Sequence, residues 1–510
     1  MDKPCYTCRR RRIRCDQSRS PCVKCVTSGL QCFASRPLRW VAGVAIRGKM
    51  RGFSFENASD DSTTRAYSRQ RSGSKDGYPA LGVVSAFTTV GPLGRDGPLT
   101  SVPSSVGDFA ISDLDPVSRY YLDYYNDRIC KLFIVYDSEK NPFRALISLS
   151  LLDQALLKSV LALAARHRVN RDCSFHDLTT QASPEPTNAR FDALRFKYQA
   201  IQGISQALGD STSRPTDTTV ASIFLLIFLD LLESGSDRWN VHLEGAKRLM
   251  DFNLPEPRAG SRHDPGRTIQ ELRNFLASQI YLIETLGGTF VRPKLLSQFD
   301  LLRGPQFQET VEQSFLGCPE YLLDAIRYLS ARRDAITGPE RHNDSTFSYF
   351  VENTVTMIDF IQQFDCSVWV SSLLLNTMGT GDINSLCTLA RTYQIGALIY
   401  GKRILGALTK ECLPLDDLVQ ELIDAISSLQ DDYALYKCIL WPIFIAALEC
   451  QPDQRISLLS YMEKFWDCTS CVNAINAAKI IKDYWEQTDG ALSSQWIFSI
   501  GTLGRDWLLI

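Results

Sequence analysis

Six of the 16 cysteines in this 510-residue chain fall within its first 32 residues: Cys5, Cys8, Cys15, Cys22, Cys25 and Cys32. Their spacing, C-x2-C-x6-C-x6-C-x2-C-x6-C, is an internal repeat in which Cys5, Cys8 and Cys15 correspond to Cys22, Cys25 and Cys32 at an offset of 17 residues. Thiolates at C-x2-C spacing pinch one zinc from a single turn, and the third cysteine closes the far end of a short helix. Three thiolates per half leave each tetrahedral zinc one ligand short. Two cysteines that bridge both metals remove the deficit, because six ligands then fill eight coordination positions. By symmetry the bridges are the first cysteine of each half, Cys5 and Cys22. The spacing therefore predicts two Zn2+ per chain. The competing reading, a disulfide framework, needs an oxidising compartment. The start, Met1-Asp2-Lys3-Pro4-Cys5, carries no apolar stretch of the secretory kind.

Aligning the two halves exposes an asymmetry. Ile13 falls opposite Leu30, and the two are expected to pack across the pseudo-twofold. The run Arg9-Arg10-Arg11-Arg12 falls opposite Val26-Thr27-Ser28-Gly29, so at these positions charge lies on one half only. Residues 1–32 hold eight basic side chains (Lys3, Arg9, Arg10, Arg11, Arg12, Arg14, Arg19 and Lys24) against Asp2 and Asp16, a formal +6. Six thiolates and two Zn2+ together contribute −2, which leaves about +4, a footprint for DNA phosphate and for a major groove. Nuclear import is a second use that the same arginines could serve.

The rest of the chain must position this module. At 510 residues it exceeds a single core. With 45% hydrophobic and 22% charged residues it has the composition of a soluble globular protein, and its formal net charge of −2 makes any nucleic-acid signal local. The ten later cysteines are scattered through apolar stretches, as expected of a reducing, intracellular compartment. The chain divides into three regions. Residues 1–35 need a metal or disulfides to fold. Residues 36–108 begin basic (Arg36, Arg39, Arg47, Lys49, Arg51) and continue poor in apolar clusters, which predicts a flexible linker. Residues 109–510 read as helix after helix: 116–135, 151–169, 189–208, 217–233, 237–252, 268–286, 319–334, 385–408, 414–429, 436–448 and 454–478. Asp237 suits an N-cap and Pro142 the first turn of a short helix. Hairpin signals and solenoid repeats are missing, so the fold class is mainly α: a small two-zinc, six-cysteine module, a linker and a large all-α domain. The apolar run Val220 to Leu232 is too short to cross a bilayer and predicts a buried helix.

Cys5 to Cys32 resembles the fungal zinc binuclear cluster family of transcription factors. The resemblance implies that Cys5, Cys8, Cys15 and Cys22 hold one zinc and that Cys5, Cys22, Cys25 and Cys32 hold the other. It also implies that the first helix reads a CGG-type triplet in double-stranded DNA, with Arg11 and Arg12 at the reading positions and Arg9, Arg10 and Arg14 beside them. Arginine pairs bidentately with guanine. Two departures stand out: many members carry lysine at the reading positions, and many place a proline two residues before the fourth cysteine, whereas here Pro21 immediately precedes Cys22. From about residue 110 onward the chain is similar to the fungal-specific transcription factor domain, through 141–143 (Asn-Pro-Phe), 161–167, 239–246 and 440–446. Together the two resemblances imply a nuclear regulator of RNA polymerase II genes, with transcription machinery or co-regulators as partners. Family members often dimerise through a coiled coil after the cluster, but residues 36–108 show no sustained apolar heptad, so homodimerisation is left open.

Other constellations carry less. His167 and His242 read as structural histidines in helices. Cys468-Thr469-Ser470-Cys471 is a second C-x2-C with nothing nearby to complete a zinc set, and reads as buried thiols. Asp431-Asp432 lacks the third acid of the terpene-synthase magnesium motif. Residues 108–115 alternate acidic and apolar residues, as an activation segment or a helix cap would. With no P-loop, G-x-S-x-G or dinucleotide fingerprint, the chain is not expected to be an enzyme. The alternatives are an all-α enzyme or a protein-binding scaffold with an appended zinc module.

Overall fold

Every regular element among the described residues is helical, and the one extended pairing there is an isolated antiparallel bridge between Ser236 and Trp507. The computed structural model describes residues 4–16, 21–28, 32, 114–176, 188–209, 216–236, 238–253, 267–290, 314–336, 344–373, 380–411, 413–488, 496–499 and 506–510. The proposed linker, Asp237, Leu30 and residues 108–113 lie outside them. The chain divides into two compact units, Met1–Thr100 and Ser101–Ile510.

In the second unit the helices start where short polar side chains replace missing backbone partners. Asp115 accepts hydrogen bonds from the amides of Val117 (3.1 Å) and Ser118 (3.0 Å), with Pro116 at the first helical position. Asn141 does the same for Phe143 at 2.9 Å ahead of Pro142, and Asp153 for Leu156 at 3.0 Å. Each such cap contributes roughly 1 kcal/mol.

Two helices organise the packing. Asp217–Glu233 is buried at every position from Thr219 to Leu232. It is enclosed by Gln154–Asn170, Asn188–Gly209, Trp239–Asn253, Arg267–Gly288 and Val472–Thr488. No helix among the described residues is long and apolar enough to cross a membrane. The second organiser, Thr380–Thr409, packs against Glu320–Ile336, Asp344–Gln363, Cys366–Ser372, Asp416–Ser428 and Leu440–Glu449. Where it meets the last of these, Trp441 stacks on Tyr393 (6.0 Å between centroids, 12° between planes) and donates its indole N–H to Thr289 at 3.0 Å. A Cβ on Gly396 would sit 2.6 Å from the Trp441 ring, so only glycine lets the indole approach this helix.

Several elements differ from the sequence expectation. The first helix runs as Pro116–Tyr124, widens into a π turn over Tyr125–Ile129 and ends with Cys130–Leu132. The Val135 amide, expected inside it, instead donates to the Ser314 carbonyl at 2.9 Å. The stretch 454–478 is two helices, Arg455–Thr469 and Val472–Thr488, broken at Ser470 in the left-handed region (φ 50°). Asn170, buried at the end of its helix, donates its side-chain amide both to the Leu232 carbonyl (2.7 Å) and to the Ser470 carbonyl (2.8 Å), and so ties three helix ends together. Finally, Asp344–Gln363 and Cys366–Ser372 are helices where none was expected.

Candidate metal centre and nucleic-acid interface

Two five-residue helices, Tyr6–Arg10 and Val23–Thr27, begin immediately after Cys5 and Cys22. The Cys5 sulfur caps the first, accepting from the Cys8 amide at 3.4 Å. At the start of the second, both carboxylate oxygens of Asp16 take amide protons, from Lys24 (3.3 Å) and Val23 (3.2 Å). Sequence reasoning counted Asp16 only as a charge; its place directly after Cys15 was the available signal that it could cap the other half.

The six sulfurs fall into two overlapping groups of four, Cys5, Cys8, Cys15 and Cys22, and Cys5, Cys22, Cys25 and Cys32, with all ligand atoms of a group within 4.8 Å of one another. Sulfurs about 2.3 Å from one tetrahedral zinc lie about 3.8 Å apart. The Cys5–Cys22 separation, the edge common to both groups, is 3.7 Å, as are Cys5–Cys25 and Cys8–Cys22. The donor set therefore fits two zinc ions, and the shared sulfurs are those of the first cysteine in each half.

Local electrostatics separate these two from their neighbours. Burial pushes the Cys5 thiol up, but the Cys8 amide and the thiols of Cys8, Cys32 and Cys25 outweigh it and hold the group below its ordinary value. The Cys25 amide does the same for Cys22. Burial drives Cys8 and Cys25 upward, Cys25 to about 12. The backbone N–H groups that open each helix thus favour thiolate at the two sulfurs common to both groups.

Arg9, Arg10, Arg11, Arg12 and Arg14 are all exposed. Arg9 and Arg10 close the first helix, Arg11 is its C-cap, and Arg12 adopts a left-handed backbone (φ 55°) that turns the chain toward Cys15. The second half offers no matching charge: Val26, Thr27 and Ser28 are exposed, and the Thr27 hydroxyl is spent on the Val23 carbonyl at 3.0 Å. Ile13, which follows the left-handed Arg12, is 38% exposed; its expected partner Leu30 lies outside the described residues.

The remaining expectations resolve in the second unit. His167 is buried, meets the Tyr124 hydroxyl at 2.8 Å through Nδ1, and is pushed down to about 3 by burial and then by Arg171. His242 lies 3.6 Å from Asp230, and burial pushes it down to about 4. Asp432 caps the short helix Tyr433–Tyr436 through the amides of Ala434 (3.1 Å) and Leu435 (3.2 Å). Cys468 and Cys471 flank the Ser470 break, and burial pushes both upward, to about 11 and about 12. In residues 108–115, Asp115 serves as a cap.

A thiol cluster able to hold two metals, an arginine-rich helix and a large all-α unit define a zinc-cluster transcription regulator, and comparison with known families agrees. Residues 3–41 match the fungal Zn(2)-Cys(6) binuclear cluster domain, and residues 120–510 match the fungal specific transcription factor domain. The chain belongs to the family defined by that second domain. It is similar to the acriflavine sensitivity control protein of Neurospora crassa, at 23% identity over 91% of this chain and 88% of the relative. It is also similar to the pestheic acid cluster transcriptional regulator 3 of Pestalotiopsis fici, at 23% identity over 87% of this chain and 86% of the relative. No solved structure matches the chain. The second family model and the name of the second relative describe regulators of transcription.

Proposed function

We propose that the protein works in the nucleus as a sequence-specific DNA-binding regulator of RNA polymerase II genes. Residues 1–35 are its DNA-binding module, and the helical region from 109 to 510 controls output through transcription machinery or co-regulators. Cys5, Cys8, Cys15 and Cys22 hold one zinc; Cys5, Cys22, Cys25 and Cys32 hold the other. The metals staple a segment too short to bury a core of its own. The exposed arginines at the C-terminal end of the first helix then meet a CGG-type triplet. What carries this reading is the asymmetry of the cluster: two halves of like backbone design, of which the first presents a run of exposed arginines at the end of its helix and the second the single cation Lys24.

Successive helical residues point about 100° apart, so five arginines cannot all enter one groove. Arg11 and Arg12 read bases, and Arg9, Arg10 and Arg14 hold phosphates. Arg12→Ala therefore weakens a CGG-containing duplex by about 1–3 kcal/mol more than a scrambled one. Arg9→Ala weakens both alike and lowers the salt slope by about one. Thr27→Ala and Ser28→Ala change neither by more than about 0.5 kcal/mol. Titrations of both duplexes at two salt concentrations decide it, and equal sensitivity of the two helices sinks the one-sided reading.

A further inference from the structure

Away from the cluster, one cleft of about 340 Å³ in the helical unit is lined by Tyr124, Arg128, Arg168, Arg171 and Asp172. Three guanidiniums face one carboxylate there, a formal +2. Arg168 and Asp172 pair at 2.5 Å. Among the described residues, Arg128 and Arg171 make no ion pair and no side-chain hydrogen bond, and both are exposed.

Two further observations make this more than a solvated rim. Cations at the end of Gln154–Asn170 complement its macrodipole, which accounts for Arg168 and Arg171. It does not account for Arg128, which reaches the cleft from another element, on the π turn Tyr125–Ile129. Such wide turns rotate a side chain out of helical register and recur at functional sites. The wall is also fixed. The buried His167 ring meets the Thr469 backbone and takes the Tyr124 hydroxyl at Nδ1. Tyr124, its hydroxyl held by His167, is part of the cleft lining.

We propose that this cleft is a binding site for a small aromatic oxyanion, its phosphate or carboxylate held by Arg128 and Arg171 and its ring laid against Tyr124. The volume suits a ligand of one ring and one anionic group, and guanidinium forks match a planar or tetrahedral oxyanion. The site stands independently of how the cluster meets DNA, because its readout is ligand binding.

The test is calorimetric titration of the full-length, zinc-loaded protein at fixed ionic strength, with phenyl phosphate, inorganic phosphate and phenol as probes. Phenyl phosphate should bind saturably at one site, inorganic phosphate more weakly, and phenol not measurably. The double variant Arg128→Gln, Arg171→Gln replaces exposed side chains, and its ligand-free melting temperature should match that of the parent. It should bind phenyl phosphate at least about tenfold more weakly, in line with the loss of charge-assisted hydrogen bonds. Arg248→Gln, at an exposed arginine elsewhere, should bind as the parent does. Absence of phenyl phosphate binding in the parent overturns the proposal. So does undiminished binding in the double variant, which would place the anion on another cationic surface such as Arg9 to Arg12.

Discussion

Among the described residues of the first unit the buried side chains are four cysteines, Cys5, Cys8, Cys22 and Cys25, with Cys15 and Cys32 half-buried against them. In the second they are leucines, isoleucines, phenylalanines and tryptophans drawn from nearly every described helix. Among the described residues, one unit has a core of thiols and the other a core of hydrocarbon. The helices differ accordingly. Tyr6–Arg10 and Val23–Thr27 are too short to persist by propensity, whereas Asp217–Glu233 is enclosed on every side. The two units therefore answer to different variables, zinc and proton concentration on one side and apolar packing on the other.

Removing metal should separate them most. Structural zinc in small modules binds with an apparent free energy of about 10–16 kcal/mol. Chelation should therefore unfold residues 1–35 and abolish specific DNA binding while the melting of the helical unit stays in place. Cys5→Ser should lose both ions rather than one, since Cys5 belongs to both sulfur groups. Elemental analysis that finds one zinc retained in this variant refutes the shared-ligand arrangement.

The converse perturbation is smaller. Trp441→Ala empties a fully buried site stacked on Tyr393 and should cost the helical unit about 3–5 kcal/mol. Zinc content should remain at two per chain. Calorimetry together with metal analysis checks both halves of that statement, and a parallel fall in zinc content would show that the units are not independent.

A gentler handle is pH. His167 is held neutral in the folded state, with its pKa lowered to about 3 by burial first and Arg171 next, against about 6.5 when unfolded. Between those values the unfolded chain binds the extra proton, so stability falls as pH drops from about 6.5 toward 3. One such histidine contributes a slope of at most about 1.4 kcal/mol per pH unit. His167→Gln should flatten the acid limb of the helical transition, measured by thermal melts from pH 7 to pH 5. An unchanged slope would show that the acid sensitivity lies elsewhere.

Much of this was legible in the residues themselves. The cluster is local: a 17-residue repeat of one residue type fixes ligand number, sharing and symmetry before any tertiary contact is known. The long helices were legible where apolar periodicity was strong, as at 217–233. Asp344–Gln363 was not, because its Thr, Val, Ile and Phe residues disfavour a helix, and its outer face exposes Tyr349, Val355 and Phe360, which blurs the period. The break at Ser470 was hidden for another reason. Neither glycine nor proline marks it, and the partner that favours it, the Asn170 side chain, lies 300 residues earlier in the chain. The π turn at 125–129 was hidden likewise, since a helix it packs against, Gln154–Asn170, belongs to a separate stretch of the chain. The repeat predicts two matching helices but not the left-handed residue Arg12 that follows the first.

Asn170 also sets a clock. Its amide bridges a carbonyl at Leu232 and one at Ser470, 62 and 300 residues downstream. Ribosomes add about 5–20 residues per second, so the first of these bonds can form within seconds of Asn170 leaving the exit tunnel. The second must wait on the order of 15–60 s. Through that interval the end of Gln154–Asn170 and the apolar faces that Val472–Thr488 later covers stand open to water. A chaperone that binds apolar segments therefore meets this protein on the C-terminal side of Asp217–Glu233, and a pause in translation near residue 470 lengthens the exposure, while the cluster, complete by residue 32, has long since been able to take up its zinc.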